Sequence, residues 1–210
     1  MSRPRSKYIN TDGLRFRLGS LVYQQNVCIY NMGAAHDCPS DAQGMCDCSS
    51  SCYGKRPEKI WGAVIKARRN QGVNWKSSST EHFIHALKYL HARHNVELFR
   101  FNEVSDFATQ QDVEKMNEIA SSVPQIVFGY TANYKLDYSG ISSSLLIKMS
   151  HFDHICEGIN GRTTIIEKGE KPPRGFITCL KTDKSSSVKQ CNECQICWKP
   201  KAINVAFVKH

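Results

Sequence analysis

The residues with the most chemistry in this chain are its cysteines, ten among 210 positions. Four of them, Cys179, Cys191, Cys194 and Cys197, form a late group. The three that end it are two residues apart, a spacing that wraps successive thiolates around one centre as in ferredoxin-type runs, and Cys179 supplies the fourth ligand. Four thiolates close a site, which suits a 4Fe–4S cluster or a structural zinc ion. The tightness of the run favours the cluster. Asn192, Glu193 and Gln195 make the segment polar, which argues against four ordinary buried thiols.

A second group lies early, in DCPSDAQGMCDCSSSCY: Cys38, Cys46, Cys48 and Cys52. If Cys38, Cys48 and Cys52 bind three irons of a cubane, the fourth iron is open to an exogenous ligand. That is how S-adenosylmethionine (SAM) is held in radical-SAM enzymes, although their usual C-x3-C-x2-C spacing is absent here. With Cys46 as a fourth ligand the site closes instead, and zinc is the alternative metal. Cys28 and Cys156 fall in apolar stretches and read as buried free thiols.

Composition agrees with metal rather than disulfides. The N-terminus is basic and lacks the apolar core of a secretory signal, and no run of some twenty apolar residues crosses a membrane. A cytoplasmic chain this rich in cysteine reads as metal-binding. Hydrophobic residues make up 40%, enough for a real core. The net charge of +9 suits a nucleic acid or nucleotide partner, with Lys55, Arg56, Lys66, Arg68 and Arg69 as contacts, or else serves solubility. Tyr53, Trp75 and Tyr134 are candidate stacking surfaces. His82, His85 and His94 have the spacing of a solvated helix face.

The elements that must position these groups follow from periodicity. Residues 1–20 read as a basic lead-in, residues 21–178 as an α/β core and residues 179–210 as a cysteine segment with a last strand. A strand over Leu21–Tyr30 leads into a cysteine loop over 31–54. Pro57 opens a helix with Ile60, Trp61, Val64 and Ile65 on its apolar face, ending near Arg69 before a polar break. Thr80 starts a second helix through Phe83, Leu87 and Leu90. Strands over Val96–Phe101 and Gln125–Thr131 flank a helix opened by Thr109 and Asp112 in capping-box spacing, so these strands are parallel. Further strands are predicted over 144–149, 163–167 and 203–208. The fold class is α/β, a partial (β/α) barrel or an open parallel sheet with cysteine-rich metal-binding loops at both ends.

Parallel sheets bind ligands beyond their C-terminal strand ends. Arg100, Asn102, Glu103 and Asp106 follow one strand, Tyr130, Thr131 and Asn133 the next, and His151, Asp153 and His154 the third. Of these, Asn102, Glu103, Asp106, Tyr130 and Thr131 are the cofactor-binding candidates. SAM is the cofactor they would hold.

These residues carry a family resemblance. CPSDAQGMCDCSSSCY, Arg68 to Asn70, FRFNEVSDF, IASSVP followed by GYT, and C-x11-C-x2-C-x2-CW ending at Trp198 occur in order over roughly residues 20–200. The chain resembles the phage "gene product 88" family, which is similar in layout to compact radical-SAM-like barrels. The resemblance implies a viral origin, hence a host-cytoplasmic protein, and one or two 4Fe–4S clusters. It would place the Asp106 turn facing the cofactor. Cys46 and the Cys-x-Cys pair depart from that pattern. Two functions follow as expectations: a radical-SAM-like enzyme acting on a nucleic acid, nucleotide or peptide, or a non-enzymatic iron–sulfur or zinc module that binds nucleic acid or a host protein.

Overall fold

The computed structural model describes residues 7–19, 26–46, 49, 52–150, 153–183, 186–188, 190–199 and 202–209. Residues 7–18 of the predicted lead-in form a hairpin, β1 (Lys7–Thr11) and β2 (Leu14–Leu18). Asp12 and Gly13 turn it, both with positive φ (50° and 81°), as a two-residue hairpin loop requires. Leu14, Phe16 and Leu18 face inward and anchor it to the core. Of the predicted strand over 21–30, β3 spans Val27–Tyr30; residues 21–25 lie outside the described ones.

β4 (Leu98–Phe101), β5 (Ile126–Thr131) and β6 (Leu145–Met149) complete a six-stranded sheet in the order β1-β2-β3-β4-β5-β6. The hairpin joins antiparallel, and β3 to β6 are mutually parallel. The sheet is open, not a closed barrel. A second sheet, β7 (Thr163–Ile166), β9 (Asn204–Val208) and β8 (Phe176–Thr178), is parallel with β9 in the middle. β8 was not expected from the sequence. A parallel bridge between Met149 and Arg162 ties the two sheets together.

The strands advance in one direction without reversal. With right-handed crossovers this puts every connecting helix on one face. α4 (Thr80–His94) and α5 (Gln110–Ser122) bury Phe83, Leu87, Leu90, Val113, Met116 and Ile119 there, against Cys28, Tyr30, Phe99, Phe101, Val127 and Ile147. α5 opens with the predicted capping box of Thr109 and Asp112, and α4 is capped by Ser79, one residue before the expected Thr80.

The cysteine loop holds short helices α1 (Pro39–Ala42) and α2 (Lys55–Ile60). The helix expected from Pro57 to Arg69 divides at Trp61 and continues, as α3 (Gly62–Ser77), through the supposed polar break. Its buried residues are Gln71, Gly72 and Trp75. Gly72 lets this happen: a Cβ there would lie 2.9 Å from the Met32 carbonyl oxygen. Trp75 is therefore core, not a stacking surface. It packs edge-on to Phe83 and Phe101 at 5.1 and 5.6 Å and donates to Asp112 Oδ1 at 2.7 Å.

This register predicts opposite outcomes for two tryptophans. Trp75 is 2% exposed and Trp61 58%. Trp75→Ala should cost about 3–5 kcal/mol in urea unfolding, whereas Trp61→Ala should stay within about 0.5 kcal/mol. Equal losses would contradict the register.

Candidate metal centre on the open face of the sheet

The face opposite the helices carries a second apolar cluster of Val27, Ile29, Leu98, Phe128 and Leu146, covered by Trp198. Cys191 and Cys197 pack against it. They belong to the short helix α6 (Cys191–Cys194) and the turn Ile196–Trp198. Gln195 links the two in left-handed conformation, φ 60°. Cys179 follows β8 and donates its amide to Ala206 in β9 at 2.7 Å.

Strand alternation puts three polar side chains on the same face, two residues beyond Leu98, Phe128 and Leu146: Arg100, Tyr130 and Lys148. Tyr130 and Lys148 are register partners, and Arg100 lies opposite Phe128. Arg100 also stands over the Tyr130 ring, 5.3 Å from its centroid. Burial raises the Cys191 thiol to about 12, helped by the charges of Cys197, Cys179 and Cys194 and opposed by Arg100. The other three late cysteines thus lie within electrostatic reach of Cys191. Burial also raises Cys197, while a hydrogen bond with Tyr130 and the cations Lys148 and Arg100 pull it back.

A metal bound by such thiols would displace their protons to solvent, so loading would be pH-dependent. Among the described residues, no three His, Cys, Asp or Glu side chains stand close enough together to hold a single ion.

In the early group, Cys48 lies outside the described residues. Cys38 is half-buried and raised to about 12, chiefly by desolvation, with Asp106 and Cys46 adding to the shift. Cys46 and Cys52 both act on Lys55, which pairs with Asp41 at 2.7 Å. Cys28 is fully buried, and Cys156 is half-buried with its Sγ 3.7 Å from the Tyr134 carbonyl oxygen.

Two carboxylates set the shape of the early loop. Glu58 accepts the Ala35 and His36 amides at 2.7 and 3.1 Å, the Arg68 guanidinium at 2.7 Å, and pairs with His36 Nδ1 at 2.7 Å. Arg68 also donates to the Gly54 carbonyl at 2.9 Å, so one clamp grips both ends of the loop. Burial works to raise Glu58, but these donors outweigh it and hold the carboxyl below its usual range. Asp106 accepts Ser40 Oγ–H, the Ala132 amide and the Phe107 amide at 2.6, 2.7 and 2.8 Å. It braces the loop against the end of β5. Burial pushes its pKa up in spite of these bonds.

The five cofactor candidates divide accordingly. Asp106 is engaged by the protein, and so is Thr131, whose Oγ1 lies 3.1 Å from the Tyr138 hydroxyl and accepts the Asn133 amide at 3.1 Å. Glu103 pairs with Arg17, and the Tyr53 hydroxyl donates to the Glu103 carbonyl. Arg100 reaches the Tyr53 hydroxyl as well as the late cysteines, so the two cysteine regions meet at this residue. Tyr130 faces the late group. Asn102 differs from the rest. It is 4% exposed, sits at φ 51°, and neither end of its amide has a partner among the described residues. A buried amide without partners is costly.

In the third strand-end set, His151 lies outside the described residues and His154 stacks on Tyr134 at 3.6 Å. The basic contacts are largely committed: Lys55 to Asp41, Arg68 to Glu58, and Arg69 to Asp37 at 2.7 Å. His85 faces Asp12 at an exposed position, in keeping with a solvated helix face. Sequence reasoning missed Lys148, Glu58 and Arg17. The signal for Lys148 was its place two residues after Leu146 in an apolar strand.

Fold and site together define a mixed α/β protein whose open sheet face is covered by a cysteine-bearing segment. The chain belongs to the phage gene product 88 family, whose model ("Gene product 88") matches residues 7–200. No curated protein and no solved structure matches it. Among the described residues, no helix is long and apolar enough to cross a membrane.

Two predictions follow from this geometry. The folded-state pKa of Glu58 is depressed, so its contribution is whole above its ordinary value of 4.5 and lost as pH falls through the folded value. Glu58→Gln should lower stability by about 2 kcal/mol at pH 7 and flatten the acid limb of a stability–pH curve. Asn102→Gly removes unpaired polar atoms and suits the left-handed backbone. It should shift stability by no more than about 1 kcal/mol in urea unfolding. A large stability loss would show that the Asn102 amide contributes to the fold despite its lack of partners.

Proposed function

We propose that this chain is an iron–sulfur enzyme of radical-SAM-like type, working at the open face of its sheet. One observation supports the reading: Cys191 and Cys197 pack against that face, which also carries Arg100, Tyr130 and Lys148, and Arg100 also meets Tyr53, the neighbour of Cys52. The late group would hold a closed 4Fe–4S cluster. Cys38, Cys48 and Cys52 would hold a second one with an iron open to SAM. Bound there, that cluster would supply the electron that cleaves the sulfonium to a carbon radical.

The protein's own part is to bind, orient and shield. Asn102 offers a donor and an acceptor side by side, a match for the edge of an adenine. Asp106 and Glu58 fix the early loop so that its thiols and Asn102 keep their spacing. Trp198 and Phe128, with ring centroids 5.2 Å apart, keep water from the apolar end of the face. The net charge of +9 supports a phosphate-bearing substrate, a nucleic acid or nucleotide, over a peptide.

Anaerobic purification with iron, sulfide and zinc analysis tests the reading. Reduced protein with SAM should give 5′-deoxyadenosine. Cys52→Ala should abolish it while the late centre stays loaded, and Cys194→Ser should empty the late centre. Zinc in both groups, with no spectroscopic response to SAM, would overturn the enzyme reading in favour of a metal-stabilised binding module.

A further inference from the structure

α2 and α3 carry a charge pattern that the candidate metal centre does not use. Residues 55–77 hold seven lysines and arginines against one carboxylate, Glu58, which is buried. Three of the cations are committed: Lys55 to Asp41, Arg68 to Glu58 and Arg69 to Asp37. The other four, Arg56, Lys59, Lys66 and Lys76, are exposed, and none has an ion pair among the described residues. A surface that serves solubility alone mixes both signs. This one holds a single sign.

Helical spacing sets these groups in line. Lys66, Arg69, Val73 and Lys76 follow one another at intervals of three or four residues, so they form one outward stripe along α3. From Gly62 to Lys76 the stripe runs about 21 Å, long enough for several phosphates. Ile60 and Trp61 stand exposed at its head, directly after Lys59 of α2. An exposed aromatic ring next to unpaired cations stacks a base while the cations hold the backbone. A helix that lies on a membrane needs a free apolar face instead. Here Gly72 and Trp75 turn into the protein, and Val73 is the one large apolar side chain of the stripe.

The stripe also borders a cleft. Arg69, Val73 and Lys76 line a cavity of about 400 Å³ together with Gly33, Pro39 and Ser105. Gly33 follows β3, Ser105 follows β4, and Pro39 adjoins Cys38. The cleft therefore lies where parallel strands end, the usual place for a ligand in such sheets.

We propose that the outward face of α3, with Trp61 at its head, docks a single-stranded nucleic acid and carries it past this cleft beside the early cysteine loop. This deepens the phosphate-bearing substrate of the proposed function and rests on that reading for the substrate's class. The free cations grip phosphates, Trp61 stacks a base, and the cleft is open to a base turned out of the strand.

Fluorescence anisotropy of a dye-labelled oligothymidine, with the full chain and rising KCl, tests the proposal. Lys66→Gln with Lys76→Gln should flatten the slope of log K against log salt by about 1.4, about 0.7 for each cation. Trp61→Ala should weaken binding about tenfold and leave the slope unchanged. These side chains are exposed, so the fold tolerates the changes. Lys88→Gln with Arg93→Gln removes the same charge from the exposed side of α4 and should keep the parent's slope. An equal loss in the α4 variant reduces the effect to net charge and overturns the docking face. No binding at low salt, unchanged affinity in Trp61→Ala, or a duplex bound more tightly than the single strand overturns it as well. Phosphatidylserine vesicles bound in preference to the oligonucleotide would put a membrane on this face instead. Docking needs no metal. A chain that binds the strand but holds no iron fails the enzyme reading alone, and one that holds iron but binds no strand fails this proposal alone.

Discussion

A parallel sheet built by crossovers that all pass on one side has one face clothed by helices and one face bare. The bare face here is half apolar, and its Val27, Leu98, Phe128 and Leu146 must be kept from water. None of the helices between the strands covers it. Trp198 does, from a segment far along the chain, and it lies next to Cys197. The residue that completes this part of the core and two of the late cysteines, Cys191 and Cys197, are thus carried by one short stretch. Sealing the core sets the cysteines down on the sheet.

The early loop is held by a different kind of force. It has few apolar residues to bury, and two carboxylates organise it. Glu58 and Asp106 each gather several donors from segments distant in sequence. Neither is spare for catalysis, and both are costly to bury without those donors. Asn102 lies four positions before Asp106, yet neither end of its amide has a partner among the described residues.

The central β4–α5–β5 unit was legible because its signals agree: an alternating strand, a capping box, a helical apolar stripe and a proline stop. The hairpin was not, because the basic residues of β1 and β2 mask the Asp12–Gly13 turn. α3 was misread because its buried face is made of Gln71, Gly72 and Trp75, which carry little apolar periodicity. The cysteine spacings were visible in the sequence, but the partners of the late group were not. Arg100, Tyr130 and Lys148 come together through strand order, which spacing along the chain does not encode. Of the expected site, Asn102 has no partner for its amide among the described residues, while Asp106 and Thr131 turn inward to the protein.

The second sheet has a consequence for how the chain is made. β9 is the last described strand in sequence yet the middle one in space, with β7 and β8 pairing to its two sides and not to each other. On the ribosome, β7 and β8 emerge with no neighbour to join and wait for the residues around 204–208. Cys179 is fixed by its bond to Ala206 only when that strand slots in. Cys179, although made before Cys191, Cys194 and Cys197, is therefore fixed in place only after all three of them have been made.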